Sequence, residues 1–308
     1  NKVFNVANGS DVGGANIDIN SKSLVGDDEL EFGISAGLNT QTVDASFLKA
    51  DGVSGFGFTD ERKGPSINKG YDFKNALNPS SQDLQVAQGF NVAGGKRYLF
   101  GPKNNPFSFY IVANYNKDFR YVEEAVRNST TTGTLTKDQV GDKYEINTSH
   151  LLLGNAAYDF ANKHKVSYNA MMIHTNNQYV GDFYGQSSYF EDVDGNRGLL
   201  RRQQLNDNLL IVNQLISSWT LSPRLNGEAG VSYNQVTGLE PDRRINHLSQ
   251  DGNLLIPTKG TGAQQRYFST LNEDDLNARM VLLYKLNDGL QEVSSVTAGY
   301  NMRMIQDD

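Results

Sequence analysis

Apolar and polar residues alternate with a period of two through much of this chain, over runs longer than a soluble strand needs. The alternation is fullest in 205–221 and 225–238. Leu205, Leu209, Ile211, Leu215, Trp219 and Leu221 share one parity, while Asn206, Asn208, Gln214, Ser218 and Thr220 hold the other. After a break at Ser222-Pro223-Arg224, Leu225, Ala229, Val231 and Tyr233 alternate with Asn226, Glu228, Ser232 and Asn234. A period of two places these sets on opposite faces of a strand. The short break predicts an antiparallel hairpin. Soluble strands run about 5–6 residues. A strand that crosses a bilayer needs about 9–11, tilted, with one apolar and one polar face. The hairpin has the length and patterning of the second kind.

The same pattern recurs along the chain. Leu30, Phe32, Ile34, Ala36 and Leu38 alternate with polar neighbours in 29–43. Weaker alternation in 91–100 is followed by the turn Gly101-Pro102-Lys103-Asn104-Asn105-Pro106. Phe107, Phe109, Ile111, Ala113, Tyr115, Phe119 and Tyr121 mark the next strand, 107–121. Strands follow at 144–160 and 165–180, then the hairpin, then 271–287 and 295–305. Nine strands are expected in all. Polar stretches at 44–90, 122–143, 181–204 and 239–270 read as long loops, against short breaks at 101–106, 161–164, 222–224 and 288–294. Long connections at one end and short ones at the other are the habit of bacterial outer-membrane barrels. Phe100, Phe107, Tyr158, Tyr168 and Trp219 lie beside the short breaks, where an interfacial aromatic girdle belongs. Single-chain bacterial barrels have an even number of strands, and a sheet edge left in lipid strands its hydrogen bonds. The expectation is therefore an all-β chain forming part of a larger antiparallel transmembrane β-barrel in an outer membrane.

Composition narrows the function classes. No run of 18 apolar residues occurs and mean hydropathy is −0.52, so the crossing element is not a helix. A net charge of −7 argues against nucleic acid as a partner. With Cys 0 there is no thiol nucleophile and no cysteine zinc site. His150, His164, His174 and His247 lack the close spacing of paired metal ligands. His164 in a short turn and His247 in a long loop are expected on the solvated surface. Asp192-Val193-Asp194-Gly195-Asn196 lacks the remaining ligands and closing Glu of a calcium loop. Asp274-Asp275 and Asp307-Asp308 read as solvated charges. Neither G-x-S-x-G nor a phosphate-binding loop occurs in the sequence. No catalytic residue, cofactor site or metal site is expected, and the chain is not expected to be an enzyme.

Two stretches resemble a known family. Asp11-Val12-Gly13-Gly14-Ala15-Asn16-Ile17-Asp18-Ile19-Asn20-Ser21-Lys22 resembles the end of the plug domain of TonB-dependent outer-membrane receptors, which leads into the first barrel strand. Residues 233–244, with Tyr233-Asn234-Gln235 and Glu240-Pro241-Asp242-Arg243-Arg244, look like that family's passages from strand to surface loop. The style of the long loops resembles receptors of the Bacteroidetes. The resemblance implies that 1–28 is the C-terminal end of a plug domain and 29–308 the N-terminal portion of a plugged barrel. It implies import of a scarce nutrient: a metal chelate, cobalamin, a glycan or a peptide. Its partners would be the bilayer, the TonB-ExbB-ExbD energy-transducing complex and the ligand, with a surface lipoprotein as a further one. No TonB box is visible, and the family's barrel has 22 strands, so the chain is expected to be a fragment. Loops 44–90, 181–204 and 239–270 are the expected ligand-contact segments, since binding residues concentrate on loops held by a rigid scaffold. The alternatives are a barrel that scaffolds a surface protein assembly and a soluble β-sandwich adhesin.

Overall fold

A computed structural model describes residues 24, 26–43, 46–59, 78–82, 84–161, 163–190, 197–251, 254–287 and 294–307. The plug-like stretch 11–22 and the acidic turn 192–196 lie outside the described residues.

The described chain is all-β but for short helical turns, and nearly all of it belongs to one antiparallel sheet. The strands are β1 (Glu29–Gly37), β2 (Leu48–Lys49), β3 (Ser80–Ser81), β4 (Ala87–Phe100), β5 (Asn105–Ser129), β6 (Leu135–Phe160), β7 (His164–Ser187), β8 (Arg197–Thr220), β9 (Leu225–Asp251), β10 (Leu254–Pro257), β11 (Gln264–Lys285) and β12 (Ser295–Asp307). The sheet runs in sequence order through β1, β4 to β9, β11 and β12, with β10 paired on β9. All nine expected strands are present along this path. Among the described residues the sheet does not close: β1 pairs with β4 alone and β12 with β11 alone.

The ends of the strands differ from expectation. Stretches 122–143, 181–204 and 239–270 are mostly strand, and β5 to β9 run 24 to 27 residues each. The β5–β6 connection is only 130–134, closed by hydrogen bonds between Thr130 and Thr134. It is as tight as the opposite turn at 101–104, so the expected alternation of long and short connections fails there. Backbone pairing continues where the side chains no longer alternate in polarity, because both faces there are polar. A period-two search is blind to such a strand. β1 is shorter than expected. It ends at Gly37, and a single helical turn, α1 (Thr40–Val43), follows, with Asn39 Oδ1 accepting the Gln41 N–H at 3.0 Å.

Two residues expected on the solvated surface, His247 and Asp275, are buried instead. His247 is 4% exposed, stacked under Tyr189 at 4.2 Å between ring centroids, with Nδ1 2.7 Å from the Ala263 carbonyl oxygen. Burial holds its imidazole below the usual histidine range. His164 opens β7 with its ring against Phe160. Asp275 is buried beneath Arg303 at 3.2 Å, while Asp274 accepts the Tyr233 hydroxyl at 2.8 Å.

Candidate functional site

The pairing registers turn the one-dimensional alternation into two surfaces. One row of directly opposed residues reads Leu30, Gly94, Ile111, Gly154, Ala170, Asn213, Tyr233, Leu276, Met304. The row beside it, from β4 onwards, reads Lys96, Phe109, Ala156, Tyr168, Leu215, Val231, Ala278, Met302. Every strand contributes its apolar parity to the same face, so no register slip breaks the band. Leu30, Phe32 and Ile34 are 82, 73 and 80% exposed, and Leu215, Val231, Met280 and Tyr300 are exposed too. Contiguous apolar patches on soluble monomers rarely exceed a few hundred Å². This one crosses nine strands.

The band has a definite height. From Leu209 to Trp219 the chain advances ten residues, about 33 Å at roughly 3.3 Å per residue. Inclined at about 40°, that is about 25 Å, the height of the lipid-facing band of an outer-membrane barrel. Aromatic rings collect at its short-turn border: Phe100 meets Phe107 at 6.1 Å, Tyr98 stacks on Phe109 at 6.4 Å, and Tyr158 stacks on Phe160 at 5.9 Å. Lys96 is the charged residue of the second row. Its ammonium lies 5.5 Å from the Tyr98 ring and 3.8 Å from Asp28, drawn towards the same border.

The opposite face mixes polar and apolar rows over the same height. Asn155 donates to Asn169 at 2.6 Å and Asn169 to Gln214 at 3.2 Å, a ladder across β6, β7 and β8. Arg279 pairs with Glu228 and Arg303 with Asp275. Within this face lies an apolar island of two adjacent rows, Val112, Leu153, Met171, Val212 and Leu151, Ile173, Leu210, Val236, in which Leu153 is 8% exposed.

Beyond the distal edge of the apolar band, the band's own face is covered by segment 46–59, which crosses the strands as a strap. Phe47 sets its ring edge-on to Phe119 and Tyr144 and, with Ala50, closes a core over Ile146, Val180 and Leu205. Leu205, expected among the outward residues, is on their face but sealed under the strap. Farther along, Phe58 stacks on His150 at 4.8 Å and on His174 at 4.5 Å. The two imidazoles meet Nδ1 to Nδ1 at 3.0 Å, and His174 Nε2 is 2.6 Å from Asp207 Oδ1. With His174 neutral, its Nε2–H donates to Asp207 and its Nδ1 accepts from His150. The other oxygen of Asp207 accepts the Thr59 N–H and the Asn176 amide, each at 3.0 Å, and the Thr59 hydroxyl. Gly57 permits the approach. Its φ is +83°, and a Cβ there would meet Thr148 atoms at 2.6 to 2.8 Å. This knot fastens the strap to β6, β7 and β8.

The knot gathers two histidines that sequence spacing leaves apart, yet among the described residues no three His, Asp or Glu side chains are grouped to hold a metal ion. Sequence reasoning missed it because its members come from four segments and meet only through strand register. Of the three expected ligand loops, 44–90 is packed down over 46–59 rather than free, and most of 181–204 and 239–270 is sheet.

Comparison of the chain with protein-family models, curated proteins and solved structures finds no match. The functional reading therefore rests on the two faces. What they can do is partition: one surface suits hydrocarbon, the other suits water or a polar filling.

Proposed function

We propose that this sheet is a sector of an outer-membrane β-barrel belonging to a TonB-dependent importer. The apolar band faces lipid, and the Asn155–Asn169–Gln214 face lines an interior filled by a plug. The supporting observation is the predominantly apolar band, of bilayer height, shared by nine register-locked strands. A soluble sandwich would cover such a face with a second sheet, and the described chain has no second layer there. The apolar island around Leu153 and Val212 is where a plug packs against the wall. The strands run well past the band on the side of the strap, which is the extracellular side in this reading. The short turns at 101–104 and 221–224 are then periplasmic. Ligand is a nutrient captured outside, and passage needs the plug to move when the TonB-ExbB-ExbD complex pulls on it.

The test uses the full gene product in a Gram-negative host. Expected are fractionation with the outer membrane and nutrient-dependent growth that is lost when the TonB box is deleted. Growth that survives that deletion, with the protein still in the outer membrane, assigns the barrel to a scaffold that docks a surface lipoprotein.

A further inference from the structure

On the face assigned above to the barrel interior, past the distal end of the apolar band, lies a cavity of about 430 Å³ between β5, β6, β7 and β8. That is within the roughly 300–1,000 Å³ usual for small-molecule sites. Register places it on this face without ambiguity: Tyr179, Gly181 and Phe183 continue the parity of Asn169, and Leu200 and Arg202 that of Gln214. Phe183 and Leu200 give it an apolar wall. Lys137, Lys143 and Arg202 give it three cations, against the carboxylate of Glu124.

These cations are held unequally. Lys143 is 2.6 Å from Glu145, which stands outside the cavity, and 4.9 Å from the Tyr179 ring centroid. Arg202 lies 5.4 Å from the same centroid and donates from Nη2 to Gln204 Oε1. Its Nε is buried and has no hydrogen-bond partner among the described residues. On the same face Gln139, 1% exposed, has both amide atoms without partners among those residues. A buried donor left open costs free energy unless something fills it. A guanidinium edge with a free N–H suits a planar carboxylate, which it can grip with two parallel bonds. Gly181 keeps the cavity's aromatic side compact, since a Cβ there would meet the Phe183 ring at 2.6 Å and the Tyr179 ring at 2.9 Å.

We infer that this cavity is a capture site for a carboxylate-bearing small molecule, Arg202 and Lys137 binding the carboxylate while Phe183 and Leu200 pack its apolar part. The inference rests on the transport reading, because only a barrel interior makes this face the path of a nutrient. Such a molecule comes from two sources, acidic sugars and acidic peptides, and the shared chemistry is the carboxylate beside a ring or alkyl surface.

The experiment is calorimetric titration of the full gene product in detergent. The probes are a digalacturonate, its dimethyl ester, a Glu-containing dipeptide and inorganic phosphate. Expected is saturable binding of at least one free carboxylate probe, with the sugar and peptide arms showing which source is used. The ester should bind more weakly. Arg202→Gln should weaken binding about tenfold, the effect of one charge-assisted hydrogen bond, and Lys103→Gln in the far turn should leave it unchanged. Arg202→Lys, which keeps the charge, should recover little, because it lacks the planar fork. Equal binding of acid and ester, binding indifferent to Arg202→Gln in a protein of unchanged circular dichroism, phosphate binding alone, or no binding of any probe overturns the inference. TonB-dependent uptake measured on the same strain separates the two layers: if uptake persists while the carboxylate preference is absent, the site fails and the transport reading stands.

Discussion

Placing arginine at Val231 tests the two-faced sheet more sharply than any deletion. Val231 is 45% exposed, and its opposed neighbours on the band face are Leu215 and Ala278. It lies four residues from Gly227, which pairs with Trp219 at the short-turn border. Four residues are about 13 Å of strand, or about 10 Å of depth at a tilt near 40°. In a band about 25 Å high that is close to the midplane. An arginine there should cost about 2–4 kcal/mol of folding free energy in a bilayer, about a 30- to 1,000-fold change in the folding equilibrium. Ser232→Arg, one residue on, points to the polar face and should cost far less. Leu282→Arg, on the band face in the Gly227 row, sits at the border and should cost about 0–1 kcal/mol. The companion substitutions are Ile211 and Ala229 on the band face, set against Asn208, Gln214 and Asn277 on the other. The assay is urea-dependent folding of the full gene product into lipid vesicles, followed by tryptophan fluorescence. A penalty that does not distinguish Val231 from Ser232, or that ignores depth between Val231 and Leu282, refutes the reasoning.

Three further outcomes follow, two from the strap and one from His247. Asp207→Ala removes the acceptor shared by His174, Asn176 and Thr59, so the strap should lose about 1–3 kcal/mol of local stability, read as faster amide exchange in 46–59 with the ladder protection of β7 and β8 retained. Gly57→Ala combines a positive φ with a clash against Thr148 and should open the strap at Phe58, seen as protease cleavage within 54–59; an unchanged digestion pattern contradicts it. His247 resists protonation when buried, whereas the unfolded chain takes up a proton below about pH 6.5. Stability gained from burying it neutral is therefore complete above that pH and declines as pH falls towards the lower folded value. The Thr258 amide, which donates to the His247 carbonyl, should have a lower protection factor at pH 5.5 than at neutral pH, and His247→Gln should abolish the difference.

How much of this was legible in the sequence depended on whether the two faces of a strand differ in polarity. Where Leu209, Ile211 and Leu215 alternate with Asn208 and Gln214, period two located the strands and assigned both faces, and the registers place those residues as expected. Past the band that contrast is gone. Lys137, Gln139, Lys143 and Glu145 on one parity of β6 stand against Asp138, Asp142 and Tyr144 on the other, and no periodicity announces a strand there. Only the ladder of backbone bonds, which has no side-chain signature, shows that β5 to β9 continue. The strap was hidden for a different reason. Phe47 and Phe58 sit in a polar, glycine-rich stretch, and their partners at Tyr144, His150 and His174 are about a hundred residues away in sequence. Asp207 looked like one more polar residue of a hairpin. Its role comes from standing beside His174 in the neighbouring strand.

Ile211 and Val212 are adjacent and both apolar, yet they belong to opposite faces. Ile211 opposes Met172 on the band, and Val212 opposes Met171, which stands beside Leu153. The chain contains no cysteine, so a fluorophore can be attached to a single introduced cysteine at either residue. The most direct measurement is quenching of that fluorophore by lipids brominated along their acyl chains, in vesicles containing the full gene product. A lipid-facing band predicts strong quenching at 211 and little at 212. Equal quenching at both positions, or none at 211, would contradict the claim that this face lies in the membrane.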